Sequence, residues 1–225
     1  MTTSCYKEQE AVNLDEYDIT YTSYDIDFDF NSYASFMVRD SVMIVSDYLT
    51  DEEIEKFYAD GTSNNIRNEI VNKFKSLGYT EVAYDGNPDF MINPSILMTK
   101  QTGVTYYPYY WWGYPGYWGW YGGYYKSTNY YYPPYWGWYP SYGASYYSYK
   151  TGTIVMEMAD GDSVRAYREW LENAGDNPDS NEAPAILFRW IAQIDGILSS
   201  TSDYNLNRAQ RGFNEAFEQS PYLKK

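Results

Sequence analysis

Apolar and polar positions alternate strictly along Tyr24-Asp25-Ile26-Asp27-Phe28-Asp29-Phe30, the period of a half-buried strand. That spacing predicts Ile26, Phe28 and Phe30 toward a core and Asp25, Asp27 and Asp29 toward solvent. The residues before it, up to about Tyr21, are acidic and without a period, and read as a linker. Tyr33, Phe36 and Val38 continue as a second extended piece. The period then changes. Asp51 to Asp60 reads as a short acidic helix capped by Thr50, and Ser63 as the cap of a clearer one. In the latter, Ile66, Ile70, Phe74 and Leu77 fall on one face, while Asn64, Arg67, Asn68, Asn72, Lys73 and Lys75 fill the others. Gly78 supplies the stop. Each large side chain of that stripe contributes roughly 1.5–3 kcal/mol on burial, enough to dock the helix on a sheet.

Tyr79–Tyr84 and Phe90–Thr99 read as strands joined by a turn around Asp85-Gly86-Asn87-Pro88. Pro94 assigns the second of them to a sheet edge or a bulge. Gly152–Met158 is a further strand, and the connection from Asp160 to Pro184 holds a helical turn from Val164 to Ala174 that ends at Gly175. Ala185–Leu198 fits either period: Ile186, Trp190, Ile194 and Ile197 suit a helix, whereas Phe188, Trp190 and Ile194 against Arg189, Gln193 and Asp195 suit a strand. A last helix from Asp203 to Gln219 is expected to bury Leu206, Phe213 and Phe217 and to stop at Pro221.

Between the Phe90 and Gly152 strands the pattern breaks down. Val104–Tyr149 holds 18 of the chain's 30 Tyr and 6 of its 8 Trp, with Lys126 as its only charge. Gly and Pro recur every few residues, which excludes a long helix and a membrane-spanning one. Tyr-Trp-Gly-Trp-Tyr occurs twice, at Tyr117–Tyr121 and Tyr135–Tyr139, with Gly119 and Gly137 in matching places. Lys126–Asn129 is the most polar point and the natural tip of a loop. Tyr buries a large ring yet keeps a hydroxyl for water or a partner. Such a segment suits stacking on sugar rings, contact at a membrane or protein interface, or packing on the protein's own sheet. The candidate contact residues are Trp111, Trp112, Tyr117, Trp118, Trp120, Tyr121, Tyr135, Trp136, Trp138 and Tyr139.

Composition narrows the chemistry. The net charge of -15 argues against nucleic acid, whose phosphates need Lys and Arg. The absence of His removes the usual neutral-pH base and the commonest metal ligand. A single Cys allows no internal disulfide. Asp25, Asp27 and Asp29 do not make a calcium loop, because the sixth and twelfth positions, Phe30 and Phe36, are not Gly and Glu. No catalytic residue, metal ligand or cofactor motif stands out. A carboxylate-based hydrolase would need an Asp or Glu pair that no motif singles out.

Several separated stretches share one pattern. They are Tyr33-Ala34-Ser35-Phe36, Lys75-Ser76-Leu77-Gly78-Tyr79, Asn87-Pro88-Asp89-Phe90-Met91-Ile92, Gly152-Thr153-Ile154-Val155-Met156, Trp190 with Gly196, and Phe213-Asn214-Glu215-Ala216-Phe217 with Pro221. From Tyr24 to Leu223 this resembles the family called domain of unknown function 4136. The resemblance implies a lipoprotein of the Gram-negative cell envelope, with no accepted catalytic residues and often a Tyr- and Gly-rich insertion at this place. It also favours the strand reading of Ala185–Leu198. With it, Cys5 after Ser4 looks like a lipoprotein acylation site, although Thr2 is a weak match and the apolar leader would lie upstream of Met1 or have been removed. Acyl chains there would anchor the protein in the outer membrane. Lys7-Glu8-Gln9-Glu10 resembles a surface-export signal.

The expected architecture is α+β: a two-layer fold with a mixed or antiparallel sheet, helices on one face, and a Tyr/Trp/Gly-rich insertion at 104–149 between strands. Residues 1–21 form the tether and 22–225 the domain. The expected function is a non-enzymatic envelope lipoprotein that uses the aromatic loop to touch a protein or the membrane interface; the alternative is a carbohydrate-binding module.

Overall fold

The computed structural model describes residues 14–101, 130–131, 149–173, 183–200 and 202–225. The strands are β1 (Ile19–Tyr24), β2 (Ser35–Val38), β3 (Met43–Ser46), β4 (Thr80–Glu81), β5 (Phe90–Gln101), β6 (Tyr130–Tyr131), β7 (Tyr149–Asp160) and β8 (Ile186–Ile197). The helices are α1 (Asp51–Ala59), α2 (Thr62–Ser76), α3 (Gly161–Asn173) and α4 (Ser202–Glu218). The sheet runs β1-β8-β7-β5-β2-β4, with β3 continuing along β5 past β2. From β1 to β5 the pairs are antiparallel, and from β5 to β4 they are parallel, so the sheet is mixed.

The α+β expectation holds, and α2 and α4 share one face. Their core contains Phe36, Phe74, Phe90, Trp190 and Phe213, all at most 1% exposed. Phe74 sits at its centre, with ring centroids 5.4 Å from Phe36 and Phe90 and 5.3 Å from Phe217. The Trp190 indole N–H finds Ser220 Oγ at 2.8 Å, so its polar edge is satisfied inside the core. A third helix adds to the expected plan: α3 packs Val164 and Tyr167 on the opposite face, against Met91, Val155 and Ile191.

Several local expectations are corrected. The strand lies at Ile19–Tyr24 rather than Tyr24–Phe30, and Ile26 is 76% exposed. Asp25 and Asp29 accept the backbone N–H groups of Asp27 and Asn31, turns that compete with a ladder. Ile19–Tyr21, read as linker, already pair with β8. Ser63 does not cap α2; Gly61, with φ 82°, precedes the helix, and Ser63 Oγ instead accepts the Val42 N–H at 3.0 Å. Pro94 lies in an interior strand. Its missing N–H is tolerated because the neighbour is interrupted there: β2 pairs as far as Ile92 and β3 resumes at Ser95. Tyr79–Tyr84 shrinks to the two residues of β4, followed by a 3-10 turn. The helical turn after Asp160 is a full helix, α3. Leu206 is 39% exposed rather than buried, since the inner stripe of α4 is Phe213 and Ala216.

Candidate functional site

β5 and β7 form a ladder from Phe90–Asp160 to Gln101–Tyr149, so the aromatic segment leaves and re-enters at the open end of one hairpin. That end is tied down. Thr99 and Thr151 share a buried hydrogen bond of 2.8 Å, the Lys100 N–H donates to Asp47 Oδ1 at 2.9 Å, and Lys150 Nζ lies 4.4 Å over the Tyr48 ring. Burial, with the nearby Asp47 carboxylate, pushes the Tyr48 phenol up and keeps it neutral.

The N-terminal approach reaches the same end. β1 begins at Ile19, level with Asp195, Thr153 and Leu97 of β8, β7 and β5. The hairpin ends four residues further on, about 13 Å at the rise of a strand. A 3-10 turn, Leu14–Tyr17, leads into β1. Arg208 holds it, donating from Nη2 to Leu14 O at 3.1 Å and from Nε to Asp18 Oδ2 at 2.9 Å. Tyr204 donates to Asp15 Oδ1 at 2.5 Å; this bond, with the Arg211 and Arg208 guanidinium groups, holds the Asp15 carboxyl below its ordinary value.

Of the residues that the sequence singles out, Trp111, Trp112, Tyr117, Trp118, Trp120, Tyr121, Tyr135, Trp136, Trp138, Tyr139 and Cys5 lie outside the described residues, as does the Lys126–Asn129 tip. Of the aromatic stretch, β6 pairs in parallel with Ile186–Leu187 of β8.

The structure also gathers polar groups that sequence reading missed. On the α3 face, beyond that helix, lie Asn93 and Ser95 of β5, Thr153 and Glu157 of β7, and Gln193 of β8, all buried. Asn93 Nδ2 donates to Glu157 Oε2 at 3.3 Å, and Thr153 Oγ1 donates to Asp195 Oδ1 at 2.5 Å. Burial pushes the Asp195 carboxyl up, partly offset by the Thr153 and Gln193 donors. In register Glu157 lies four residues along and one strand across from Asp195. Their backbones are then about 14 Å apart. Each carboxyl has its own donors, Asn93 for Glu157 and Thr153 with Gln193 for Asp195. The signal was present as polar residues at alternate positions of each strand, but only strand pairing brings them together.

At the opposite end of the sheet, Arg189 Nη1 donates to Asp25 Oδ2 at 2.6 Å and its guanidinium lies 4.4 Å over Phe28. Tyr33 donates to Asp160 Oδ2 at 2.5 Å. Burial and that carboxylate push the Tyr33 phenol far above its ordinary value, which makes it a donor and not a base. Asp25 is thus an ion-pair partner. Among the described residues no group of three His, Cys, Asp or Glu stands ready to hold a metal, and no helix is long and apolar enough to cross a membrane.

Comparison with known proteins gives a family and no activity. The family described as Domain of unknown function (DUF4136) matches residues 20–222. A crystal structure of a DUF4136 family protein from Bacteroides thetaiotaomicron VPI-5482 is similar over 92% of this chain and 97% of that one, with 23% identity and a TM-score of 0.49. No curated protein matches. With nearly its whole length matched, the chain belongs to the domain of unknown function 4136 family.

Proposed function

We propose that this is a non-enzymatic lipoprotein of the bacterial cell envelope, anchored in the outer membrane through Cys5, whose Val104–Tyr149 segment contacts the membrane interface. The observation that supports it most is the shared end of the sheet: β1 starts, and the β5–β7 hairpin opens, on the same side. A lipid attached upstream of β1 would therefore bring the root of the aromatic segment toward the bilayer. Tyr and Trp favour that boundary, where a ring rests among acyl chains and its polar edge meets headgroups. With a net charge of -15, attraction to anionic lipid is not the driving force; ring burial and hydroxyl hydrogen bonds are.

The test has two steps. Protein produced in a Gram-negative host behind a lipoprotein signal is labelled with a palmitate analogue, and Cys5→Ser should abolish the label. The lipidated protein is then placed in phosphatidylcholine vesicles with brominated acyl chains. Six of the eight Trp lie in the segment, so most of the emission should be quenched. A chain that takes up no label removes the anchor; an anchored chain with unquenched Trp removes the interface contact.

A further inference from the structure

A second surface lies on the helical face, between α2 and α4. α2 and α4 are braced by the Phe74–Phe217 ring contact below and by Lys73 Nζ on Asn214 Oδ1 across. Between them runs an open groove of about 600 Å³. Polar residues line it, Asn65, Asn68, Asn72 and Ser76 from α2 and Gln210 from α4, with Glu69 and Lys73 between them, and their carbon stems make up as much of its surface as their polar atoms do.

The amides are arranged, not scattered. Asn65, Asn68 and Asn72 stand at i, i+3 and i+7, a single stripe of an α-helix, and all are exposed. Asn207, Gln210 and Asn214 repeat that spacing on α4, also exposed. Asn is a weak helix former because its amide competes for backbone groups. Three in one stripe of a 15-residue helix weaken it without adding to the core. Positions that break a local rule without a packing return are where function is expected.

The lining also describes its ligand. Each side-chain amide both donates and accepts, and the single carboxylate and ammonium offset each other. The groove has no aromatic floor to select a planar group and no basic cluster to select an anion. We propose that it binds a neutral, hydroxyl-rich chain, an oligosaccharide whose adjacent hydroxyls pair with the amides of both helices. This site does not depend on the aromatic segment or on the lipid anchor.

The probes are maltohexaose, cellohexaose and chitohexaose, with polygalacturonate as an anionic control, titrated into the full chain labelled with nitrogen-15. The expected result is that at least one neutral probe shifts side-chain amide resonances of Asn and Gln while Trp emission is unchanged. The variant Asn68→Ala/Asn72→Ala/Gln210→Ala should lose affinity at least about tenfold, the effect of several missing hydrogen bonds. Alanine is the better helix former, so its melting temperature should match or exceed that of the parent. The proposal is overturned if no neutral probe moves those resonances, if the triple variant binds as the parent does, or if polygalacturonate binds more tightly.

Discussion

Arg208 of α4 grips the Asp18 carboxylate with both Nε and Nη2, the first at 2.9 Å from Oδ2. The guanidinium side chain is only 5% exposed, so the head of β1 is tied to α4 by a charge that has little water to fall back on. Asp18→Ala should cost about 3 kcal/mol, the scale for breaking a buried pair from one side. Asp15 Oδ1, 3.6 Å from Arg208 Nε, keeps the loss from being larger. Urea unfolding measures it. A change under about 1 kcal/mol would mean the pair behaves as a solvated surface contact.

Asp89 gives a pH signature. Its Oδ2 accepts from the Ala34 N–H, the Ser35 N–H and Ser35 Oγ, each at 2.8 Å. Burial pushes the carboxyl up, but these donors outweigh it and hold it below the ordinary 3.8. A depressed carboxylate contributes stability that is present above its unfolded value and lost as pH falls through the folded one. Asp89→Asn should therefore cost roughly 1.5–3 kcal/mol at neutral pH, with the gap to the parent closing below about pH 4. Paired thermal melts across that range decide it; a gap independent of pH would assign the effect to shape and not charge.

Asp195 has the opposite sign. Its carboxyl is raised, so the protonated acid is what the fold favours. That contribution is complete below the unfolded value of 3.8 and disappears as pH rises through the folded one. Asp195→Asn, which removes a partly buried charge while keeping an oxygen for the Thr153 hydroxyl, should be more stable than the parent at neutral pH. The advantage should shrink as the solution is acidified. A variant that melts lower than the parent at neutral pH would overturn this reading.

Gly212 sets two effects against each other. Alanine is favoured in a helix by about 1 kcal/mol. A Cβ at Gly212, however, would stand 2.3 Å from Ile194 Cγ2 on β8. Overpacking of that kind costs about 1–3 kcal/mol, so Gly212→Ala should be a net loss. Calorimetry of the single variant suffices; a higher melting temperature would show that α4 can lift from the sheet at little cost.

The helical face was the most legible part of the chain, because the stripe Ile66, Ile70 and Phe74 has one period and one use, and all three are buried. β8 was ambiguous because both its faces are covered: Trp190 and Ile194 on one side, Ile191 and Gln193 on the other. The first strand was misplaced because Asp25, Asp27 and Asp29 imitate the strand period, although a short carboxylate side chain bonds the backbone two residues on. β3 was missed for brevity, four residues with no alternation to mark them. The polar cluster of Asn93, Glu157 and Gln193 is spread over three distant strands, and no local pattern joins them. In the aromatic stretch, Gly and Pro remove both the helical and the strand period, so composition points to contact chemistry at Trp118 or Trp136 without giving a geometry.

The β5–β7 ladder runs from Phe90–Asp160 to Gln101–Tyr149, where Tyr149 is the last residue of the aromatic stretch. Chain-closure entropy grows only with the logarithm of loop length, about 0.6 kcal/mol for each doubling. By that measure, gain or loss of one five-residue Tyr-Trp-Gly-Trp-Tyr unit would change the closure cost of the hairpin by only about 0.1 kcal/mol. Closing the hairpin therefore sets almost no limit on the length of that stretch.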